Sequence, residues 1–292
     1  MDLKNAKELF RLMRIEHSLM LVIAVIAAEL IVKGMPNLPT LILSLITPVF
    51  VSMGSFAVND YFDIEVDKAN KKDRPLVIGT VTPKQALYAT AITMIIGVAA
   101  SIPINLYAFL IALAFALLSI AYAYKLKELL FWGNAYVAFA MVIPFIYGSL
   151  VVSNNMPYSI MVISIMIFLA GLAREIHGTI RDYQGDIAMR NAHTIPKAIG
   201  IKAAANVALL LYLIAVGISI YLALAVKPFK LNALFIVLVA ITDALLIYVA
   251  IGYLKEDKRF YDKARNLSLV AMAIALLAVL ASAALPDLLI PI

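Results

Sequence analysis

Apolar runs of about 20 residues recur along the whole chain, and the charges gather in the short breaks between them. A helix of that length spans the roughly 30 Å hydrocarbon core of a bilayer and satisfies its own backbone hydrogen bonds there. The expected fold is therefore all-α, a polytopic membrane bundle, in a single domain over residues 1–292. Nine transmembrane helices are expected at 15–33, 39–60, 83–101, 105–123, 132–152, 157–180, 200–226, 231–254 and 264–285. The breaks carry their own punctuation. Pro36 and Pro39 separate the first two spans, and Pro83 opens the third. Pro103 with Asn105, Asn154-Asn155 with Pro157, and Pro228 separate later ones.

Composition agrees. Only 14% of residues are charged and 64% are hydrophobic, whereas a soluble domain carries about a quarter charged residues. The chain has no cysteine, which excludes disulfides and thiolate chemistry. The first apolar run lacks a small-residue cleavage site and leads into further spans, so it reads as a retained helix. Residues 1–14, short and basic, read as an interfacial helix.

The net charge of +6 is read as topology before any affinity for nucleic acid, and no nucleic-acid partner is expected. Cations sit in alternate breaks: at the N-terminus (Lys4, Lys7, Arg11, Arg14), after the second span (Lys68, Lys71, Lys72, Arg74, Lys84), after the fourth (Lys125, Lys127), after the sixth (Arg174, Arg181, Arg190, Lys197, Lys202) and after the eighth (Lys255, Lys258, Arg259, Lys263, Arg265). Of 24 Lys and Arg, only Lys33, Lys227 and Lys230 remain for the other face. The positive-inside rule then places the N-terminus in the cytoplasm and the C-terminus outside.

Where the second span leaves the bilayer the chain reads Asn59-Asp60-Tyr61-Phe62-Asp63-Ile64-Glu65-Val66-Asp67. Asn59, Asp63 and Asp67 are four apart and share one face of a helix, with Asp60 and Glu65 pointing elsewhere. Mg²⁺ takes hard oxygens, usually one or two carboxylates plus a substrate's phosphate oxygens. The row supplies such oxygens, and the cations after it suit phosphate, Arg74 bidentately and the lysines as point charges. A solvated helix end with a basic loop explains the lysines. It does not explain three ligand-type residues aligned at membrane depth, where polar groups are costly and usually functional.

A second row, Glu175, Asp182 and Asp186, follows the sixth span on the same side. Two facing acid rows with cations between them would clamp a diphosphate through two metal ions. Other polar residues read more plainly. Asp243 beside Thr242 reads as an interhelix hydrogen bond. His17, His177 and His193 lack metal-ligand spacing, although His177 lies on the second motif helix.

Asn-Asp-x-x-Asp-x-x-x-Asp, then Asp73-Arg74-Pro75-Leu76, then Asp182-Tyr183-x-x-Asp186 resembles the UbiA superfamily of intramembrane prenyltransferases. Tyr122-Ala-Tyr124-Lys125-Leu-Lys127 and Thr194-Ile-Pro196 are similar too, and the resemblance covers essentially the whole chain. The chain departs from the common pattern at Gly178 and Thr179, where an acid or tyrosine is frequent, and at Arg181, where an acid is frequent. The resemblance implies a UbiA-like bundle around a central cavity open to the cytoplasmic side. It implies Mg²⁺-dependent transfer of a prenyl group from a polyprenyl diphosphate to an aromatic or lipid acceptor, within membrane lipids. Residue by residue, it implies one Mg²⁺ on Asn59 and Asp63 and a second on Asp182 and Asp186, with Asp67 assisting. Arg74, Lys125 and Lys127 would bind the diphosphate, with Arg14 and Lys68 as weaker contributors. Tyr61, Phe62, Tyr122, Tyr124, Phe139, Tyr147 and Tyr183 are candidates to face the allyl cation, and Glu175 or Asp67 to take the acceptor's proton. Arg174-Glu175-Ile176 and the acid-x-x-Gly-Asp ending resemble the branch that makes archaeal-type ether lipids. The alternative is a cation-coupled transporter with an acidic site.

Overall fold

The computed structural model describes residues 3–32, 34–70, 72–129, 131–189 and 194–290, without the side chains of 3–5, 184–189 and 258. Every named element is a helix. The chain divides into two compact units.

The first unit comprises the chain through Val25 and Met35–Lys127. It holds α1 (Leu3–Met13), the first half of α2 (Ser18–Val32), α3 (Leu38–Phe62), α4 (Ile64–Ala69), α5 (Pro83–Ser101) and α6 (Leu106–Tyr124). Asn37, Thr82 and Asn105 start α3, α5 and α6 by accepting backbone N–H bonds from the first turn. At Thr82 the bond is reciprocated by Gln85, a capping box. Helices α3 and α5 pack closely because glycines face the neighbour. A Cβ on Gly97 would stand 2.9 Å from the Val51 backbone nitrogen and 3.0 Å from the Thr47 carbonyl. In lipid no hydrophobic drive pulls helices together, so close backbone approach of this kind supplies the contact.

The second unit comprises Ile26–Gly34 and the chain from Glu128 on. It holds α7 (Trp132–Val152), α8 (Tyr158–Met189), α9 (Ile195–Ile199), α10 (Ile201–Ala225), α11 (Ala233–Leu254) and α12 (Lys258–Ala284). Its core joins alanines with a few large rings: Ala138, Ala173, Ala204, Ala205 and Ala208 around Tyr212, Tyr253 and Tyr261. Asp243 accepts a bond from Ser219 Oγ at 2.6 Å, and Thr242 donates to the Ala271 carbonyl at 3.2 Å. Both are interhelix bonds, as expected for polar side chains within spans.

Among the described residues, eight helices are long and apolar enough to cross a membrane, and large apolar side chains such as Leu117 and Leu210 lie exposed on them. The protein is an integral membrane protein. Helix α5 coincides with the third expected span but is not one of the eight, because its first turn, Pro83-Lys84-Gln85, is polar. Helix α8 runs past the expected end at 180. Its 32 residues reach about 48 Å at 1.5 Å each, well beyond a hydrocarbon core of roughly 30 Å.

Candidate active site

Helix α3 ends at Phe62, and Asp63 departs from helical geometry (φ −94°, ψ 2°) before α4 begins. The i→i+4 bonds nevertheless continue through the break: Asp63 N–H donates to the Asn59 carbonyl at 3.0 Å, and Asp67 N–H to the Asp63 carbonyl at 2.8 Å. The expected row therefore survives. Asn59 Nδ2 donates to Asp63 Oδ2 at 3.1 Å, and Lys127 Nζ, from the turn after α6, donates to Asp63 Oδ1 at 2.8 Å. Asp67 is buried and pairs with Lys72 at 2.9 Å and with Arg74.

Asp60, read from the sequence as pointing elsewhere, is the missed member. It leaves the row but is 2% exposed, and it accepts from Arg14 at 2.7 Å and from Arg74 at 2.6 Å. Arg14 is held there at a cost. Its backbone is left-handed (φ 47°, ψ 50°), which for a residue with a Cβ costs of order 1–3 kcal/mol and persists only where surrounding contacts impose it. Those contacts are Asp60 and the face of Phe56, 4.9 Å from the guanidinium carbon. The loop bearing Arg74 is pinned in turn by Arg11 to Asp73 at 2.7 Å and by Thr80 to Glu8 at 3.1 Å.

One expected diphosphate ligand stands apart from this cluster. Lys68 is exposed and pairs with Glu65 at 2.9 Å, an ordinary i,i+3 surface pair. Lys125 caps α6 and is exposed. Of the aromatics, Tyr61, Phe62 and Tyr124 meet edge to face, with centroids 5.2 and 5.6 Å apart. Phe139 and Tyr147 lie on α7 in the second unit.

The second row rides the C-terminal part of α8. Arg181 grips Asp182 through two bonds, Nε to Oδ1 at 2.8 Å and a terminal nitrogen to Oδ2 at 2.7 Å. Arg174 pairs with Glu175 at 2.8 Å. The side chain of Asp186 lies outside the described residues, as do those of Lys4 and Lys258 and the whole of Lys33, Lys71, Arg190 and His193.

The geometry carries a test of metal binding. Asn59 spends its amide N–H on Asp63, which leaves its Oδ1 buried without a hydrogen-bond partner among the described residues. A buried acceptor left unmade costs roughly 1–3 kcal/mol. A hard oxygen without a donor, next to a carboxylate, fits Mg²⁺, which needs only one or two protein oxygens when phosphate and water complete its shell. Among the described residues no three His, Asp or Glu side chains gather into a ready-made metal cluster.

The model of the UbiA prenyltransferase family matches residues 20–272. The chain belongs to the UbiA prenyltransferase family. It is a prenyltransferase, and the transporter alternative is set aside. The digeranylgeranylglyceryl phosphate synthase of Archaeoglobus fulgidus is 38% identical over 280 residues, 95% of either chain. A solved structure from work on digeranylgeranylglyceryl phosphate synthase in membranes superposes with a TM-score of 0.78 at 28% identity, over 96% of this chain and 99% of that one. A UbiA homologue from Archaeoglobus fulgidus bound to GPP and Mg²⁺ shares the fold, with a TM-score of 0.67 at 18% identity, over 93% and 99%.

For a UbiA prenyltransferase, the first unit offers a buried amide oxygen and carboxylate beside four cations, Arg14, Lys72, Arg74 and Lys127, each already fixed by an acid. Asp60 was legible only as part of the motif string. No spacing rule ties it to Arg14, 46 residues upstream.

Proposed function

We propose that this UbiA prenyltransferase moves a geranylgeranyl group from its diphosphate, with Mg²⁺, to the free hydroxyl of a geranylgeranylglyceryl phosphate, giving the doubly prenylated glyceryl phosphate. The observation that carries this reading is the end-to-end similarity to a synthase of that product. The Arg174-Glu175-Ile176 element points the same way.

Asn59 and Asp63 hold one Mg²⁺, and Asp182 and Asp186 a second. Bound there, the ions act as Lewis acids on the departing diphosphate. The chain's own cations share that work. Arg74, fixed by Asp60 and Asp67, presents a planar fork that needs no reorganisation as charge develops. Lys127 exchanges Asp63 for a phosphate oxygen, Lys125 adds a point charge, and Arg14 and Lys68 contribute less. Tyr61, Phe62 and Tyr124 present ring faces and edges where water must be kept from the allyl cation. The C1–diphosphate bond breaks first, the acceptor oxygen then bonds C1 of the allyl cation, and its proton passes to Glu175 or Asp67.

The same reading takes α5 as a ninth span, the whole chain as one domain, and the N-terminus and both acid rows as cytoplasmic, with the C-terminus outside. Purified protein given geranylgeranyl diphosphate, geranylgeranylglyceryl phosphate and Mg²⁺ should release pyrophosphate and yield the two-chain product by mass spectrometry. Chelation should stop both. Turnover with 4-hydroxybenzoate but not with the glyceryl phosphate would overturn the acceptor.

A further inference from the structure

The second unit buries polar groups that the chemistry above leaves unused. His177 on α8 is 3% exposed, and Tyr212 on α10 is 0% exposed. The imidazole lies flat on Tyr253 of α11, with centroids 3.9 Å apart and planes at 1°, and tilts against Tyr212 at 5.6 Å. Tyr253 stacks in turn on Tyr261 of α12 at 4.6 Å. Aromatic neighbours thus cover the ring's surface, and its edge carries both nitrogens. Neither nitrogen has a hydrogen-bond partner among the described residues, nor has the Tyr212 hydroxyl, nor Arg174 Nε. Arg174 stands three residues before His177, on the same side of α8.

Four unpartnered polar atoms in one small region are far from the rule that buried polar groups are bonded. Phenylalanine at 177 and 212 would have filled the same space without any of them. Their chemistry is specific: a neutral imidazole offers one N–H and one lone pair, a phenol can do either, and Arg Nε only donates. That set matches a ligand carrying both a hydroxyl and phosphate oxygens. It does not match an isoprenoid chain. The region also borders the second acid row, since Glu175 and Asp182 lie on α8 with Arg174 and His177.

We infer that His177, Tyr212 and Arg174 bind the polar head of the acceptor, the glycerol hydroxyl at the imidazole edge and the phosphate at the phenol and guanidinium. This rests on the acceptor class proposed above. Initial rates are measured on the full chain, varying geranylgeranylglyceryl phosphate at saturating geranylgeranyl diphosphate and then the reverse. His177→Phe and Tyr212→Phe should each raise the acceptor KM tenfold or more and leave the diphosphate KM within twofold. His177→Asn, which keeps one donor and one acceptor, should recover part of the loss. Tyr212→Phe should also narrow the preference for the phosphorylated acceptor over geranylgeranylglycerol. An unchanged acceptor KM in both phenylalanine variants, or both KM values rising together, would overturn the inference and leave these atoms to buried water. Should a variant fail to purify, thermal stabilisation of wild type by the acceptor alone decides: a shift that His177→Asn diminishes supports the site, and no shift overturns it. A wild type that makes no two-chain product removes the acceptor class itself, and this inference with it.

Discussion

Replacing Asp63 by asparagine removes one negative charge and almost no volume. The structure lets its two consequences be separated. Asp63 Oδ1 holds Lys127 at 2.8 Å, and the two side chains are only 12% and 9% exposed. Removing one member of a buried ion pair costs about 3–5 kcal/mol, because the survivor is a buried charge without its counter-charge. Residual exposure places the expected loss near the lower end, about 3 kcal/mol. Adding Lys127→Met removes the stranded ammonium. The double variant should return to within about 1 kcal/mol of wild type, since apolar replacement of a whole buried pair is often neutral. Turnover should not return with it. On the proposed metal assignment both variants lack a ligand, and pyrophosphate release should fall about a hundredfold or more in each. Urea titrations of helicity in detergent, run beside the release assay on the same preparations, give both quantities. A double variant no more stable than Asp63→Asn would refute the buried-pair reasoning. An active Asp63→Asn would remove that residue from the metal assignment.

Arg74→Lys keeps the charge but loses the planar guanidinium, one terminal nitrogen of which meets both Asp60 and Asp67 and leaves the rest of the group for phosphate; the diphosphate KM should rise about tenfold, equivalent to about 1.4 kcal/mol. Gly97→Ala sets a Cβ against the backbone of α3 and should destabilise by about 1–3 kcal/mol, whereas Gly217→Ala, with nothing within 4 Å, should be neutral or stabilise by up to about 1 kcal/mol; the same urea titrations compare the two. Lys68→Ala breaks only an exposed pair and should change stability by less than about 1 kcal/mol and the diphosphate KM by no more than about threefold. A larger rise in that KM would make Lys68 a principal diphosphate ligand, not a minor one.

Span positions were readable because lipid imposes them: a run must be apolar for its length, and proline or asparagine marks where it stops. The two departures show what that criterion measures. It closed the sixth span at 180, where apolarity ends, but α8 continues to Met189 because its backbone bonds do not depend on lipid. It accepted the third span, yet the polar first turn of α5 leaves that helix outside the eight. The site divides along a similar line. Helical period alone placed Asn59 beside Asp63, and the 2.8 Å bond from Asp67 N–H to the Asp63 carbonyl preserves the row even where the helix breaks. Period says nothing of what stands opposite a face. Asp60 was set aside because it left the row, and that same rotation delivers it to Arg14 and Arg74. His177 lacked any ligand spacing, and its environment is made by tyrosines on three other helices. Local pattern therefore finds oxygens that act in rows. The counter-charges and stacked rings that fix them come from distant chain, where only tertiary packing can choose the partner.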